Sequence, residues 1–313
     1  MLDFPPAPEG EIYRGYDAED LERVPRFRAL NAEPAPGFLV DYFGVKIRSS
    51  LLGGGGSGQV QRQPPFPGDG MLSGGVEYAS ACIALEQSTG PTFTHVELGA
   101  GWGPWTALLG VLAARRGFST VNALAVEAAP ARFALLQAHL ADNGMLPSET
   151  ATEGQVGPFR TRAVKAAAWW KTTTLYFPDD NGATEDAGKA AVSHRSKTDY
   201  RGVAVRHLPT PAISIEKLCQ PYDVVDFMHI DIQGGEWELI RRSKRFFDSK
   251  VRFLFVGTHD RKIEGDLIEL LLNKGWKLFR EKPCRFYGLA DAPSLTGLTY
   301  DDGAQLWRNM TLG

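Results

Sequence analysis

The chain is poor in cysteine. Its three thiols, Cys82, Cys219 and Cys284, are odd in number, far apart and include no CxxC pair. That excludes a disulfide framework and a cysteine-built structural zinc site, and it fits a reducing compartment. Long apolar runs are also missing, since none approaches the roughly 18 residues from which a membrane helix is read. The opening MLDFPPAPEGEIYR lacks the basic start and apolar stretch of a secretion signal, so the expectation is a cytoplasmic chain with no membrane span. An excess of either charge is lacking too. Lys and Arg number 34 against 37 Asp and Glu, a net charge of -3, which argues against nucleic-acid binding driven by bulk charge.

What is present is an ordinary globular composition. The 313 residues are 43% hydrophobic and 23% charged, enough to bury a core without a disulfide or metal staple. Glycine and proline are unevenly placed, with Pro-rich patches at 4–8 and 34–37, GGGGSG at 53–58 and PPFPGDG at 64–70. Residues 51–70 therefore read as a loop or linker, and 38–47 as a short strand or hairpin arm. Residues 1–75 form a partly irregular N-terminal extension in this reading, ahead of a main domain at 76–313.

From Val76 the pattern turns regular. Helical spacing marks 76–87, 105–116, 131–143, 235–247 and 264–274, and short apolar runs mark strands at 93–98, 121–126, 159–164, 226–232, 251–256 and 276–280. The stretch 171–208 is polar and loop-like, with one short strand at 173–177 and a basic portion at 189–206 that reads as part of a lid. Strand and helix in alternation predict an α/β fold, an open, mostly parallel twisted sheet with helices on both faces. Ligands in such sheets sit beyond the carboxyl ends of the strands.

The first of those ends is Glu97-Leu98-Gly99-Ala100-Gly101-Trp102-Gly103. Such a turn lets backbone approach a ligand closely, or simply packs helix on sheet. Pro104 stands where the dinucleotide fingerprint needs its third glycine. Glu127 closes the second strand, where a carboxylate accepts both ribose hydroxyls of an adenosine-type ligand. NAD and S-adenosyl-L-methionine (AdoMet) both fit that pair. The fourth regular strand ends His229-Ile230-Asp231-Ile232-Gln233-Gly234-Gly235-Glu236. Asp231 there is a functional carboxylate or a structural one that caps the next helix or pairs an arginine, and His229 also suits a hydrogen-bonded core role. His259, after the next strand, is the best candidate for a group titrating near neutrality, unless it is a loop histidine with no task.

VELGAGWGPW, VEAAPARFALLQAHLADNG, HIDIQGGEWELI, VGTHDRKIEG and DGAQLWRN together resemble the FkbM-type methyltransferases, over roughly 76–309. The resemblance implies a Rossmann-like class I methyltransferase fold and AdoMet as cofactor. It implies that Glu97, Gly99, Ala100, Gly101 and Trp102 hold the methionine side, Glu127 the ribose, and Ala128 with Lys165, Ala166 and Ala167 the adenine. Asp231, Gln233 and Glu236 then face the transfer site. Relatives of this fold often carry an aspartate near 165–167, where this chain has Lys-Ala-Ala. The implied activity is O-methylation of a sugar or glycan-type hydroxyl in surface-polysaccharide or related biosynthesis. A polyketide, peptide or lipid hydroxyl is the alternative acceptor, and a NAD(P)-dependent oxidoreductase the alternative enzyme.

A sugar hydroxyl needs a base within hydrogen-bond reach. His259 is expected to be that base, with Asp231 and Glu236 completing the catalytic set. A divalent metal gathered by His229, Asp231, Glu236 and His259 is a second mechanism and is not favoured, so no metal ligand is assigned. Trp169 and Trp170 read as walls of an acceptor pocket or as a buried pair. The basic run at 241–245 reads as a solvated face or a contact for an anionic glycan carrier. The partner expected is a small-molecule or glycan acceptor, with no nucleic acid and with a homo-oligomer left open.

Overall fold

Both faces of the central strands are apolar, so the sheet they form must be covered twice. In the segment Thr92–Leu98 (β1), Phe93 packs into one core cluster while Val96 and Leu98 pack into another. The same division by residue parity recurs at Phe227 against Met228 and Ile230, and at Phe255 against Leu254 and Val256. These side chains belong to Val225–Ile230 (β5) and Val251–Thr258 (β6). The computed structural model describes residues 14–66, 68, 74–179, 191–193, 197–198, 204–286 and 294–312.

Among the described residues the main sheet has eight strands. Besides those three it contains Thr120–Glu127 (β2), Glu153–Val156 (β3), Phe159–Lys165 (β4), Trp276–Lys282 (β7) and Gly303–Asn309 (β8). Their order across the sheet is β7-β8-β6-β5-β1-β2-β4-β3. The β4, β2, β1, β5 and β6 neighbours pair in parallel, whereas β8 lies antiparallel between β6 and β7. The helices Gly75–Gln87 (α1), Pro104–Arg115 (α2) and Pro130–Asp142 (α3) supply one cluster, through Ile83, Leu108 and Leu136. Glu236–Arg242 (α4), Lys244–Lys250 (α5) and Arg261–Leu271 (α6) supply the other, through Leu239, Phe247 and Leu267. This is the open, mostly parallel α/β architecture expected, Rossmann-like and wound on both faces.

The differences have local causes. The single helix expected at 235–247 is two, α4 and α5, meeting at Ser243. The strand expected to reach Ile232 stops at Ile230, which puts Asp231 in the loop beyond it. Strand β8 gave no alternating polar signal because it is buried on both faces; even Gln305 is buried, accepting from Trp307 Nε1 (3.0 Å) and donating to the Glu264 carbonyl (3.3 Å). Within 171–208, Thr173–Pro178 is a strand that pairs with His207–Ser214, which also takes Ala167–Trp169 on its other side. Pro209 and Pro211 stand opposite Tyr176 and Thr174, ahead of Ala212, the residue that pairs on both sides. Residues 189–190, 194–196 and 199–203 of the expected lid lie outside the described residues, as do 1–13, 69–73 and 180–188.

The segment ahead of α1 is docked on the sheet domain. Phe38–Val40 pairs antiparallel with Lys46–Arg48 as a hairpin, and Gln59–Val60, inside the stretch read as linker, adds in parallel. Val24, Phe27, Phe43 and Ile47 share a core cluster with α1 and α2. Buried Asp20 binds Arg280 of β7 (Nε to Oδ2, 2.5 Å), and Arg48 binds Asp142 of α3 (Nε to Oδ2, 2.5 Å).

Candidate active site

The two glycine turns at the strand ends brace each other. Gly99 follows β1 with φ +78, and a Cβ placed there would lie 1.8 Å from the Asp231 carbonyl oxygen. Only glycine allows that approach. In return, the Asp231 N–H donates to the Leu98 carbonyl (2.9 Å), and the Gly99 and Ala100 N–H groups donate to the Val126 carbonyl (3.0 Å each). Pro104 then opens α2 at a position where its missing N–H costs nothing. The departure from the dinucleotide fingerprint is thus a helix start.

Glu127 ends β2 with its carboxylate anchored by backbone. One oxygen accepts the Gly101 N–H (2.7 Å) and the other the Ala129 N–H (2.7 Å). Burial raises its pKa against the pull of those N–H groups. Glu97 is fully enclosed, accepts from the Thr106 N–H (2.7 Å) and hydroxyl, and is pushed up to about 7 by burial, opposed by the charge of His229 and the Thr106 bonds.

A cavity of about 320 Å³ opens between these turns, within the size range of small-ligand sites. Glu97, Gly99, Ala100, Gly101, Trp102, Glu127, Ala128, Ala166, Asp231 and Gln233 all line it. The structure therefore brings together every residue read from the sequence as cofactor-binding. Lys165 does not line it; the wall continues through Ala167 and Ala168 to Trp169. Trp105 is both buried and a wall residue, stacked on His229 (5.6 Å between centroids). Trp170 lies outside this wall and carries Lys171 and Arg242 over its ring.

Behind Asp231 stands a charged cluster. His259, nearly inaccessible, presents Nε2 to Asp231 Oδ1 (3.2 Å) and Nδ1 to Glu236 Oε1 (3.2 Å). Glu236 is fully buried and also accepts the N–H groups of Ile232 (2.9 Å) and Gly234 (2.9 Å), so it pins the turn that carries Asp231. Gln233 sits in that turn at φ +60, a strained conformation for a side chain of this kind, and donates to Asp231 Oδ1 (2.9 Å). Burial alone would lower His259, but the charges of Glu236 and Asp231 outweigh it and raise the imidazole well above its ordinary value. Partial burial raises Asp231, yet the bond and charge of His259 hold it below the ordinary carboxylate range. The two carboxylates that flank the imidazole, read from the sequence as a base, both favour its protonated form. His229 is not part of the cluster. It faces Glu77 (Nε2 to Oε2, 3.5 Å) and lies flat against Phe255.

Two acids escaped the sequence reading. Glu77 of α1 lines the cavity, raised by burial against the pull of His229. It fell at the edge of an apolar helix, where one acid reads as a solvated turn. Asp302, just before β8, lies 4.0 Å from His259 Nε2. The unnoticed antiparallel pairing of Thr258 with Gly303 puts it there.

A glycine turn after the first central strand, an acid ending the second and an aspartate after the fourth, around one cavity in this sheet, define a Rossmann-like methyltransferase. The chain belongs to the FkbM family: the model for the methyltransferase FkbM domain matches residues 95–278. A protein of Jannaschia sp. (strain CCS1), whose name proposes a methyltransferase, is 25% identical over 293 residues, spanning 91% of this chain and 97% of that one. Among solved structures, methyltransferase FkbM from Methylobacillus flagellatus KT superposes with a TM-score of 0.42 at 13% identity, covering 74% of this chain and 54% of its own. The METTL16 MTase domain gives 0.39 at 12%, covering 74% and 64%. No described helix is long and apolar enough to cross a membrane.

Proposed function

We propose that the protein is an AdoMet-dependent O-methyltransferase whose acceptor is a hydroxyl of a sugar or glycan-type molecule, as in surface-polysaccharide biosynthesis. The observation that carries this reading is the placement of Glu127, held by the Gly101 and Ala129 N–H groups, in the same cavity as the Gly99 turn and Asp231. AdoMet supplies an activated methyl on sulfur, so the protein's tasks are alignment and charge.

The residues present suit that cofactor. Two backbone donors leave Glu127 with acceptor capacity for ribose hydroxyls. Gly101, whose absent Cβ would meet nothing within 4 Å, leaves room for a ligand against the backbone. Glu97, Glu77 and Asp231 give one wall the negative charge that an ammonium or a sulfonium favours. Ala166, Ala167 and Ala168 offer a flat, small-residue wall to an adenine in place of a carboxylate. Trp169 closes the cavity with an aromatic face of the kind that packs on a sugar ring.

Calorimetric titration with AdoMet and with its demethylated product, on the native chain and on Glu127→Ala, tests the cofactor. Binding that the substitution abolishes supports the reading. Binding of NAD with none of AdoMet overturns it. With binding in hand, incubation with sugar and glycan acceptors and mass spectrometry for one added methyl tests the acceptor class, and methylation only of amine or carbon acceptors would overturn that part.

A further inference from the structure

Ligand atoms of Asp231, Glu236 and His259 all lie within 4.8 Å of one another, beside the cavity. We infer that this cluster, completed by Asp302, is a divalent-cation site in which Asp231 Oδ1, His259 Nε2 and Asp302 Oδ2 are the ligands and Glu236 fixes the imidazole.

The assignment follows from which way each atom faces. Glu236 stands at Nδ1, and its two oxygens already take the backbone N–H groups of Ile232 and Gly234. It is therefore the orienting carboxylate found behind ligating histidines, holding the ring with Nε2 outward. On the Nε2 side lie Asp231, which lines the cavity, and Asp302. The spacing of each carboxylate from the imidazole agrees with a shared ion, and Asp302 stands just outside the group whose ligand atoms are all within 4.8 Å of one another. Two ligands about 2.1 Å from one metal sit roughly 3 Å apart when adjacent and about 4.2 Å apart when opposite. The observed separations from Nε2 are 3.2 Å to Asp231 and 4.0 Å to Asp302. One imidazole with two carboxylates suits manganese, iron or zinc.

Three independent features of the fold build the set. Asp231 is fixed by the Gly99 brace, His259 ends β6, and Asp302 is brought opposite it by the pairing of Thr258 with Gly303. Asp302 has a largely exposed side chain, which leaves the ion reachable from solvent. The role of the ion rests on the methyltransferase reading. It would bind the acceptor hydroxyl as a Lewis acid and stabilise the oxyanion left when the hydroxyl proton passes to solvent. An acceptor with a second oxygen next to the methylated one, such as a vicinal diol, would chelate it.

The test is a titration of chelator-stripped protein with Mn²⁺, followed by the loss of the free-ion electron paramagnetic resonance signal, with AdoMet affinity measured on the same samples. One ion per chain is expected. Asp302→Asn, at an exposed side chain, should weaken it by at least about tenfold, since even outer carboxylates behind a ligating histidine are worth that much. AdoMet affinity should stay within twofold in that variant. No Mn²⁺ binding to a chain that binds AdoMet overturns the site and leaves the methyltransferase reading intact. Mn²⁺ affinity unchanged from the parent chain in both Asp302→Asn and His259→Gln places the ion elsewhere and overturns it as well. Mn²⁺ binding lost in both variants, in a chain that fails to bind AdoMet, supports the site and sinks the cofactor reading.

Discussion

Gly99 and Gly101 share a motif and a left-handed backbone, at φ +78 and +56, yet alanine should act on them in opposite ways. Alanine in this conformation costs about 1–2 kcal/mol at either site. At Gly99 the new methyl would also meet the Asp231 carbonyl oxygen at 1.8 Å, and that oxygen belongs to backbone pinned by Leu98 and by Glu236. Forcing such a contact apart adds roughly 1–3 kcal/mol. The total, about 2–5 kcal/mol, should lower the melting temperature by roughly 3–8 °C for a chain of this size. At Gly101 the methyl meets nothing within 4 Å and points into ligand space, so only the backbone cost, about 2–3 °C, is expected. AdoMet binding should instead fall by more than about tenfold, the loss of roughly 1.4 kcal/mol. Differential scanning calorimetry of the free variants, paired with AdoMet titration, reads both effects. Equal melting losses in the two variants, or a Gly99→Ala chain as stable as the parent, would refute the brace.

Glu97 titrates near 7 in the free protein, pushed up to about 7 by burial, so AdoMet affinity should strengthen as pH rises from about 6 to 8 and lose that dependence in Glu97→Gln. A pH-independent affinity in the parent chain would remove Glu97 from the cofactor's cationic contact. His95 and His139 are buried and lowered by burial to about 3, far below the 6.5 of an open chain. The unfolded chain binds their protons first, so stability present above pH 6.5 is lost as pH falls toward 3, at about 1.4 kcal/mol per pH unit for each. Urea unfolding at pH 7 and pH 5 should show a smaller acid loss in His95→Gln than in the parent, and equal losses would contradict its neutral burial. Asp20→Asn leaves Arg280 and Arg23 short of a buried carboxylate and should cost about 3 kcal/mol, with faster proteolysis of the segment before α1. An unchanged melting temperature would mean that this segment's docking rests on its apolar contacts alone.

The sheet was legible where its strands meet the usual signs, a short apolar run closed by glycine or by a charged end. Strand β8 was not, because AQLW is apolar or satisfied on both faces and shows no alternation of polar and apolar residues. The cost of missing it was chemical as well as topological, since Asp302 comes to His259 only through the β6–β8 register. The cavity-lining residues at the strand ends were legible for the opposite reason. Glu97, Gly99, Gly101, Glu127 and Asp231 all follow directly from strand ends, so sequence position fixes where they lie. Glu77 reaches the cavity from a helix that packs across the sheet, and no spacing along the chain announces that.

The two sides of the cavity are built differently, and that separates their tasks. The side around Glu127 is set by backbone: N–H groups of Gly101 and Ala129 hold the acid, and the Gly99 contact holds the turn. Such a wall barely changes with pH or with one side chain, which suits a fixed cofactor. Around Asp231 the arrangement depends on the charges of His259, Glu236 and Asp302, each held by different elements. Three carboxylates around one imidazole leave net negative charge even when the ring is protonated, and a divalent ion replacing that proton would balance more of it. On the proposed function, the rigid wall would hold the cofactor and the charged wall would meet the acceptor. A substitution at Asp302 should change which acceptors are methylated, or whether they are, while a substitution at Glu127 should abolish turnover for every acceptor alike.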